Sequence, residues 1–384
     1  RYYAVQAEKI SQVRQSLPGP TGETNDLFYE PKGVFVCISP WNFPVAIFIG
    51  QIAAALITGN SVLAKPSEHT PLLGEMVADI FYDCDIPTDA FQLFHGNGEV
   101  GQKLISCAGI NGVAFTGSLE TAKKIHQQLS HKAGPIANLI AETGGLNAMI
   151  IDSSSLLEQV VDDILRSAFN SAGQRCSALR IALVHETIYE DLIKLLMDAM
   201  KELWVGNPEE FHCDVGPIIE DRAMTRLENY LQQFQDRKFP VFSHNQAPNS
   251  GCFIAPTLIE LSSLDEIDHE MFGPILHTLP FQEDNLDNML SQLVQKGYGL
   301  TMGMHSRIEG KVDDLLQKSI TGNVYINRDI VGAVVGSQPF GGTGLSGTGF
   351  KAGGPNYLLQ FVDERTVTKN TVAFGGNTDI LNLD

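Results

Sequence analysis

The chain has 384 residues, 43% of them hydrophobic, and a formal net charge of -19 at neutral pH. That is more apolar chain than one ordinary domain buries, so two or more lobes are expected. An acidic surface without a Lys/Arg run repels phosphate backbones and anionic headgroups, so neither nucleic-acid nor membrane binding is expected.

The six cysteines, Cys37, Cys84, Cys107, Cys176, Cys213 and Cys252, contain no C-x-x-C pair. No disulfide framework and no metal site is expected, and a reducing, cytoplasmic compartment fits best. Arg1 opens directly in a polar helical pattern with no initiator methionine or signal segment, so the chain reads as cut from something longer.

Residues 17–25 are rich in breakers. From Gly33 onward, short apolar β-rich runs alternate with helical patterns. Strands are predicted at 34–39, 61–65, 91–94, 112–115 and 136–141, with a buried helix over 45–57 that is too short to span a membrane. A second alternating group has strands at 148–151, 179–185, 300–305 and 323–327 and helices at 156–172 and 187–204. Two parallel, helix-covered α/β lobes are the expectation. Further breaker-rich stretches lie at 246–251 and 332–354; the glycines of the second suit a loop closing round a ligand, or a plain surface loop.

Several motifs could carry chemistry. Pro40-Trp41-Asn42-Phe43-Pro44 fixes Asn42 between two prolines, so its amide could serve as an oxyanion donor or the segment could be a simple turn. Lys65-Pro66-Ser67-Glu68 sets a cation and a carboxylate at a strand end, where they could hold a ribose or form a solvated ion pair. A carboxylate on a ribose 2′-hydroxyl would favour NAD over NADP.

Gly96-Asn97-Gly98-Glu99-Val100-Gly101 matches a dinucleotide pattern, but the acidic residue expected later falls near Glu120, inside a helix, so it is not read as the Rossmann fingerprint. Thr116-Gly117-Ser118 follows a strand and opens a helix, a place for a pyrophosphate or an ordinary N-cap. Glu142 ends a strand ahead of Thr143-Gly144-Gly145, where a partly buried carboxylate could act as a general base or simply face solvent. Cys176, in Gly173-Gln174-Arg175-Cys176-Ser177-Ala178, is a candidate nucleophile, although a lone cysteine is ordinarily an inert hydrophobe.

Each signal is modest alone, but in order Asn42, Lys65 with Glu68, Thr116-Gly117-Ser118, Glu142-Thr143-Gly144-Gly145, Cys176, Glu270-Met271-Phe272-Gly273-Pro274 and Pro339-Phe340-Gly341-Gly342 run through the whole chain. This series resembles the aldehyde dehydrogenase superfamily. Its Glu142 to Met149, Gly173 to Ala178 and Lys351 to Asn356 segments look like the Δ1-pyrroline-5-carboxylate dehydrogenase branch. The ending Thr371-Val372-Ala373-Phe374-Gly375-Gly376-Asn377 resembles the dehydrogenase module of bifunctional proline utilisation A proteins.

The resemblance implies a Rossmann-like NAD-binding domain (1–19 and 32–143, lacking some amino-terminal residues), an α/β catalytic domain (144–345), an oligomerisation β-hairpin (20–31 and 361–375) and a return segment (346–360). It implies Cys176 as nucleophile, Glu142 as the base that activates water, and Asn42 with the Cys176 backbone N–H as oxyanion hole. NAD would lie along Ser39, Pro40, Trp41, Lys65, Ser67, Glu68, Thr116, Gly117, Ser118, Thr143 and Gly144, with Glu270 and Phe272 at the nicotinamide ribose. Ser177, Gly332 and Ala333 would grip the amino-acid end of L-glutamate γ-semialdehyde, with Arg175 beside them and Phe43 and Phe340 along its aliphatic part; core packing is the alternative for the two phenylalanines. The subunit would be at least dimeric and could be joined to a proline dehydrogenase module elsewhere in a longer parent.

Many relatives have Leu and Lys where this chain has Thr143 and Leu146. Thr143 matches the pyrroline-5-carboxylate branch; Leu146 has no interpretation. Other readings are an aldehyde dehydrogenase for succinate semialdehyde, a truncated non-catalytic relative, and a cysteine hydrolase in which His185 would have to approach Cys176.

Overall fold

The computed structural model describes residues 1–12, 14–243 and 247–370. The motif 371–377 and Gln246, the first residue of one breaker-rich stretch, lie outside them. Helix α1 (Tyr2–Ser11) precedes strands β1 (Gln15–Leu17), β2 (Glu23–Pro31) and β3 (Val34–Ile38). Then come α2 (Ala46–Ile57), β4 (Ser61–Lys65), α3 (Pro71–Asp83), β5 (Phe91–Leu93), α4 (Gly98–Ser106), β6 (Ile110–Thr116), α5 (Leu119–His131) and β7 (Asn138–Glu142). Strands β3 to β7 form one parallel sheet in the order β5-β4-β3-β6-β7.

The chain runs straight from β7 into β8 (Asn147–Ile151) of a second sheet. It continues through α6 (Leu157–Phe169), β9 (Leu179–His185), α7 (Glu186–Glu202), α8 (Asp221–Asp236), β10 (Val241–Ser243), β11 (Thr257–Glu260) and β12 (Ile275–Phe281). After α9 (Leu286–Gln295) and β13 (Tyr298–Gly299) come β14 (Thr301–His305), α10 (Glu309–Lys318), β15 (Asn323–Ile326), β16 (Thr343–Gly344) and β17 (Val362–Asn370). The second sheet has the order β10-β11-β12-β9-β8-β14-β15 and is parallel except for β10.

The elements follow from their side chains. In β9, Leu-Arg-Ile-Ala-Leu-Val-His is buried at every position, as a central parallel strand covered on both faces must be. Apolar on nearly every face, α2 buries Phe48, Ile52, Ala54 and Ala55 with Phe35 and Cys37 of the first sheet. Amphipathic α6 turns Val160, Val161, Ile164 and Ala168 onto the second.

Strands β10, β11 and β12 are absent from the sequence-based expectation. In β12, His277, Thr278 and Pro280 interrupt the apolar run. His277 is nevertheless buried, because Tyr230 Oη and the Arg180 carbonyl satisfy its ring nitrogens at 3.0 and 2.9 Å. The small sheet also differs from a single hairpin. It is three-stranded, β1-β2-β17, with β2 and β17 antiparallel from Pro31 opposite Val362 to Glu23 opposite Asn370, a pairing between chain ends that local pattern cannot reveal.

Among the described residues, no helix is long and apolar enough to cross a membrane. No cluster of three or more His, Cys, Asp or Glu there could hold a metal ion.

Candidate active site

The segment 143–146 carries the chain from the carboxyl end of β7 to the amino end of β8, and Asn42, beyond the carboxyl end of β3, bonds Gln174, ahead of the amino end of β9. After α6 the backbone takes three successive left-handed residues, Ser171, Ala172 and Gly173 (φ 56°, 53° and 64°). Two of these are not glycine, a conformation costing of order 1 kcal/mol each that surrounding contacts must hold. At Gly173 a side chain is impossible, since a Cβ would overlap the Gly273 carbonyl. The chain then delivers Cys176 just ahead of β9, partly exposed. Asn147 fixes it from the neighbouring strand, donating to the carbonyls of Cys176 and Ala178 at 2.7 and 2.9 Å.

The Cys176 thiol is pushed up to about 12, first by burial and then by the carboxylates of Glu270 and Glu142. A thiol attacks as the thiolate, and burial here opposes its ionisation. Glu270 and Glu142 thus each lie within electrostatic reach of the Cys176 thiol.

Glu142 closes β7, and its Oε2 accepts from the Gly342 N–H at 3.3 Å. A Cβ placed on Gly341 would stand 2.8 Å from its other oxygen, so the carboxylate lies against the Pro339-Phe340-Gly341-Gly342 turn. Burial pushes its pKa up to about 8, against the opposing pull of the Gly342 N–H and the Lys351 ammonium. A carboxyl group that titrates near neutral pH is suited to general base work. Thr143 is tied to the following loop through the Leu345 carbonyl, and Leu146 is a buried core side chain.

Asn42 donates its amide to the Gln174 carbonyl at 3.0 Å, which brings the proline-bracketed turn onto the cysteine loop. Trp41 and Asn42 share a cleft with Asn170, Ser171 and Gln174. Trp41 meets Phe272 edge to face at 5.8 Å. Phe43 and Phe340 are both half-buried, outside the fully buried core, and the guanidinium of Arg175 lies 5.5 Å over the Phe43 ring.

Glu270 does not project freely. Its Oε1 pairs with Arg180 at 3.0 Å, and its carboxylate fills the space beside Gly144. Arg180, 1% exposed, also donates to the carbonyls of Gly273 and Arg175 at 3.0 and 3.1 Å. One cation thus ties the cysteine loop to the 270–274 loop.

The expected cofactor residues line the carboxyl ends of the first sheet. Ser39 and Ser67 are buried at the ends of β3 and β4, with Pro40 following Ser39. Lys65 is buried; its ammonium donates to the carbonyls of Pro66 and Gly96 at 2.8 and 2.6 Å and stands 3.6 Å from Glu68. Thr116 ends β6, where its hydroxyl accepts from Gln51, and the Gly117 N–H donates to the Glu142 carbonyl. The Ser118 hydroxyl caps α5, accepting from the Thr121 N–H at 3.2 Å, the N-cap role the sequence also allowed.

Ser177 is buried beside Cys176, while Gly332 and Ala333 lie on a loop beyond β15. The cysteine-hydrolase alternative fails. His185 stands at the far end of the seven-residue β9, about 20 Å along the strand from Cys176, and its ring is bound to Thr187 and 3.5 Å from Glu283.

The sequence model of the aldehyde dehydrogenase family matches residues 1–367. The chain belongs to the aldehyde dehydrogenase family. Within that family it is 46% identical over 375 residues to the bifunctional protein PutA of Escherichia coli (strain K12), covering 93% of this chain and 28% of that protein. It therefore spans less than a third of the length of such curated relatives.

Among solved structures, a bifunctional proline utilization A crystal structure superposes with a TM-score of 0.94 at 47% identity, covering 97% of this chain and 38% of the other. A 1-pyrroline-5-carboxylate dehydrogenase from Thermus with bound NAD gives 0.89 at 32% identity, covering 96% of this chain and 72% of that one.

In this family member, sequence reasoning missed Arg180, Asn147 and Gln174. Gln174 donates to the Pro217 carbonyl and accepts from the Ile219 N–H, bracing the cysteine loop from behind. The one signal available was a lone arginine inside the apolar run of β9, which has to find a partner if it is buried.

Proposed function

We propose that this chain is an NAD-dependent dehydrogenase that oxidises L-glutamate γ-semialdehyde, the opened form of Δ1-pyrroline-5-carboxylate, to L-glutamate. The observation that carries this reading is the convergence of Glu142 and Glu270 on the Cys176 thiol, with Asn42 held against the same loop. Similarity to the PutA proteins and to a 1-pyrroline-5-carboxylate dehydrogenase with bound NAD supports the substrate and the cofactor.

The Cys176 thiol gives up its proton to water as its sulfur adds to the aldehyde carbon, and the oxyanion of the thiohemiacetal accepts hydrogen bonds from the Asn42 amide and the Cys176 backbone N–H. NAD, when bound, accepts the hydride that leaves this carbon. What remains on Cys176 is a thioester. Glu142 takes a proton from water, the water oxygen attacks the acyl carbon, and the sulfur departs with its electron pair, releasing glutamate.

The residues present suit a dinucleotide. Ser39 Oγ, at the carboxyl end of β3, is buried without a hydrogen-bond partner, the Lys65–Glu68 pair stands at the end of β4, and Trp41 and Phe272 offer apolar faces beside the cysteine loop. Lys65, Ser67 and Glu68 would hold the adenosine ribose, Thr116, Gly117 and Ser118 the pyrophosphate, and Glu270 and Phe272 the nicotinamide ribose, with Thr143 and Gly144 beneath. Glu270 must then exchange part of its contact with Arg180 for the ribose. Ser177, Gly332, Ala333 and Arg175 would receive the amino-acid end, with Phe43 and Phe340 along its carbon chain.

The same reading divides the chain into an NAD-binding domain at 1–19 and 32–143, a catalytic domain at 144–345, an oligomerisation element built on β2 and β17, and a return segment at 346–360. It makes the subunit at least dimeric, cytoplasmic, and one module of a longer protein that also carries a proline dehydrogenase.

NADH formation from pyrroline-5-carboxylate and NAD, measured for the full-length protein and its Cys176→Ala variant, tests the assignment. Activity lost with the thiol is the expected result. No activity in a wild-type protein that binds NAD rejects the substrate.

A further inference from the structure

Tyr325 stands in β15 with a 6% exposed side chain, and its hydroxyl donates to the Gly332 carbonyl at 3.1 Å. Gly332 has φ 131°, a backbone state that excludes residues with a Cβ, so its peptide group faces a direction the chain could not otherwise give it. The loop leading to it is braced on both sides: the Ile330 N–H donates to Ser167 Oγ at 3.1 Å, and the Val331 N–H to Asp329 Oδ1 at 3.2 Å. The Arg328 guanidinium covers the Tyr325 ring at 5.3 Å.

The Gly332 carbonyl and the Ala333 N–H belong to one peptide group. A hydrogen bond donated to the oxygen draws electron density from the nitrogen and makes the N–H a stronger donor, as in any polarised chain of hydrogen bonds. We infer that Tyr325 is a specificity-determining positioning residue, which orients and polarises the Gly332–Ala333 peptide so that the Ala333 N–H grips the α-carboxylate of an amino-acid aldehyde. This rests on the proposal that Gly332 and Ala333 receive that end of the substrate.

One further observation agrees with it. Burial raises the Tyr325 phenol above its usual value against the opposing pull of the Arg328 guanidinium, so the hydroxyl remains a donor.

The test compares wild-type full chain and Tyr325→Phe on L-glutamate γ-semialdehyde and on propanal, with glutamate as a competitive inhibitor of propanal oxidation. Loss of the hydroxyl is expected to raise KM for the semialdehyde and Ki for glutamate by about five- to tenfold. The kcat on the semialdehyde and both constants for propanal stay within about twofold, which also establishes that the variant is folded. Equal losses on both aldehydes, or no change in the glutamate Ki, overturn the role of Tyr325 while leaving the substrate assignment standing. A wild type that does not prefer the semialdehyde to propanal overturns both.

Discussion

The Arg180 guanidinium meets the Glu270 carboxylate at 3.0 Å with side-chain exposures of 1% and 14%, and the same guanidinium holds the carbonyls of Gly273 and Arg175. A pair so deeply buried repays its desolvation only while both partners remain. Arg180→Met is therefore expected to cost about 3–5 kcal/mol in urea unfolding, and Arg180→Met combined with Glu270→Gln to regain part of it. A single variant as stable as wild type contradicts the pairing.

Glu142 has a pKa raised to about 8 by burial, and a base works only when ionised. Turnover is expected to rise with pH through about 8 and to fall away on the acid side. Glu142→Gln should release about one equivalent of NADH per site in a burst and then stall at the thioester. Steady turnover by that variant would assign the base elsewhere. The raised value has the opposite sign for stability. Between the unfolded pKa, about 4.3, and about 8 the folded state holds the extra proton, so this group's contribution declines as pH rises through that window.

Asn42 contributes an amide that already donates to the Gln174 carbonyl at 3.0 Å, leaving its second N–H for the oxyanion. Asn42→Ala is expected to lower kcat about 10²- to 10³-fold. Its melting temperature should change little, since one part-exposed hydrogen bond is worth about 1 kcal/mol. A loss confined to KM removes Asn42 from the transition state.

Acid unfolding has identifiable origins. Burial lowers His277 and His305 to about 4, so the unfolded chain binds more protons, and stability drains away as pH falls from about 6.5 toward about 4. For Asp152 the raising effect of burial is outweighed by hydrogen bonds from Lys311, at 2.6 Å, and Ser154, which hold its carboxyl down at about 2. Its stabilisation is complete above its unfolded pKa of about 3.9 and is lost as pH falls through about 2. Asp152→Asn should flatten the lower part of the stability curve, and His277→Gln the upper part. Parallel curves for wild type and variants would refute this assignment.

The elements of the first sheet could be read locally because four of its five strands, β3 to β6, are short apolar runs ahead of a helix. Strand β12 could not, because His277 and Thr278 look like loop residues until their partners, far away in sequence, are known: Tyr230 and Arg180 for His277 and Tyr189 for Thr278. Among site residues, Cys176, Glu142 and Asn42 are marked by the small or rigid residues around them. Asn147, Arg180 and Tyr325 have no such marking, since what makes each matter is a partner on another strand or loop.

By itself the sequence determined the α/β alternation, the candidate nucleophile and base, and the family resemblance, because these depend on residue type, period and order along the chain. The tertiary structure alone decided which groups meet. It brought the Asn42 turn onto the cysteine loop, buried the Cys176 thiol within reach of two carboxylates and so pushed its pKa up, and bound Glu270 to Arg180. Burial and the distance between charges fix these outcomes, and both are properties of the packed chain.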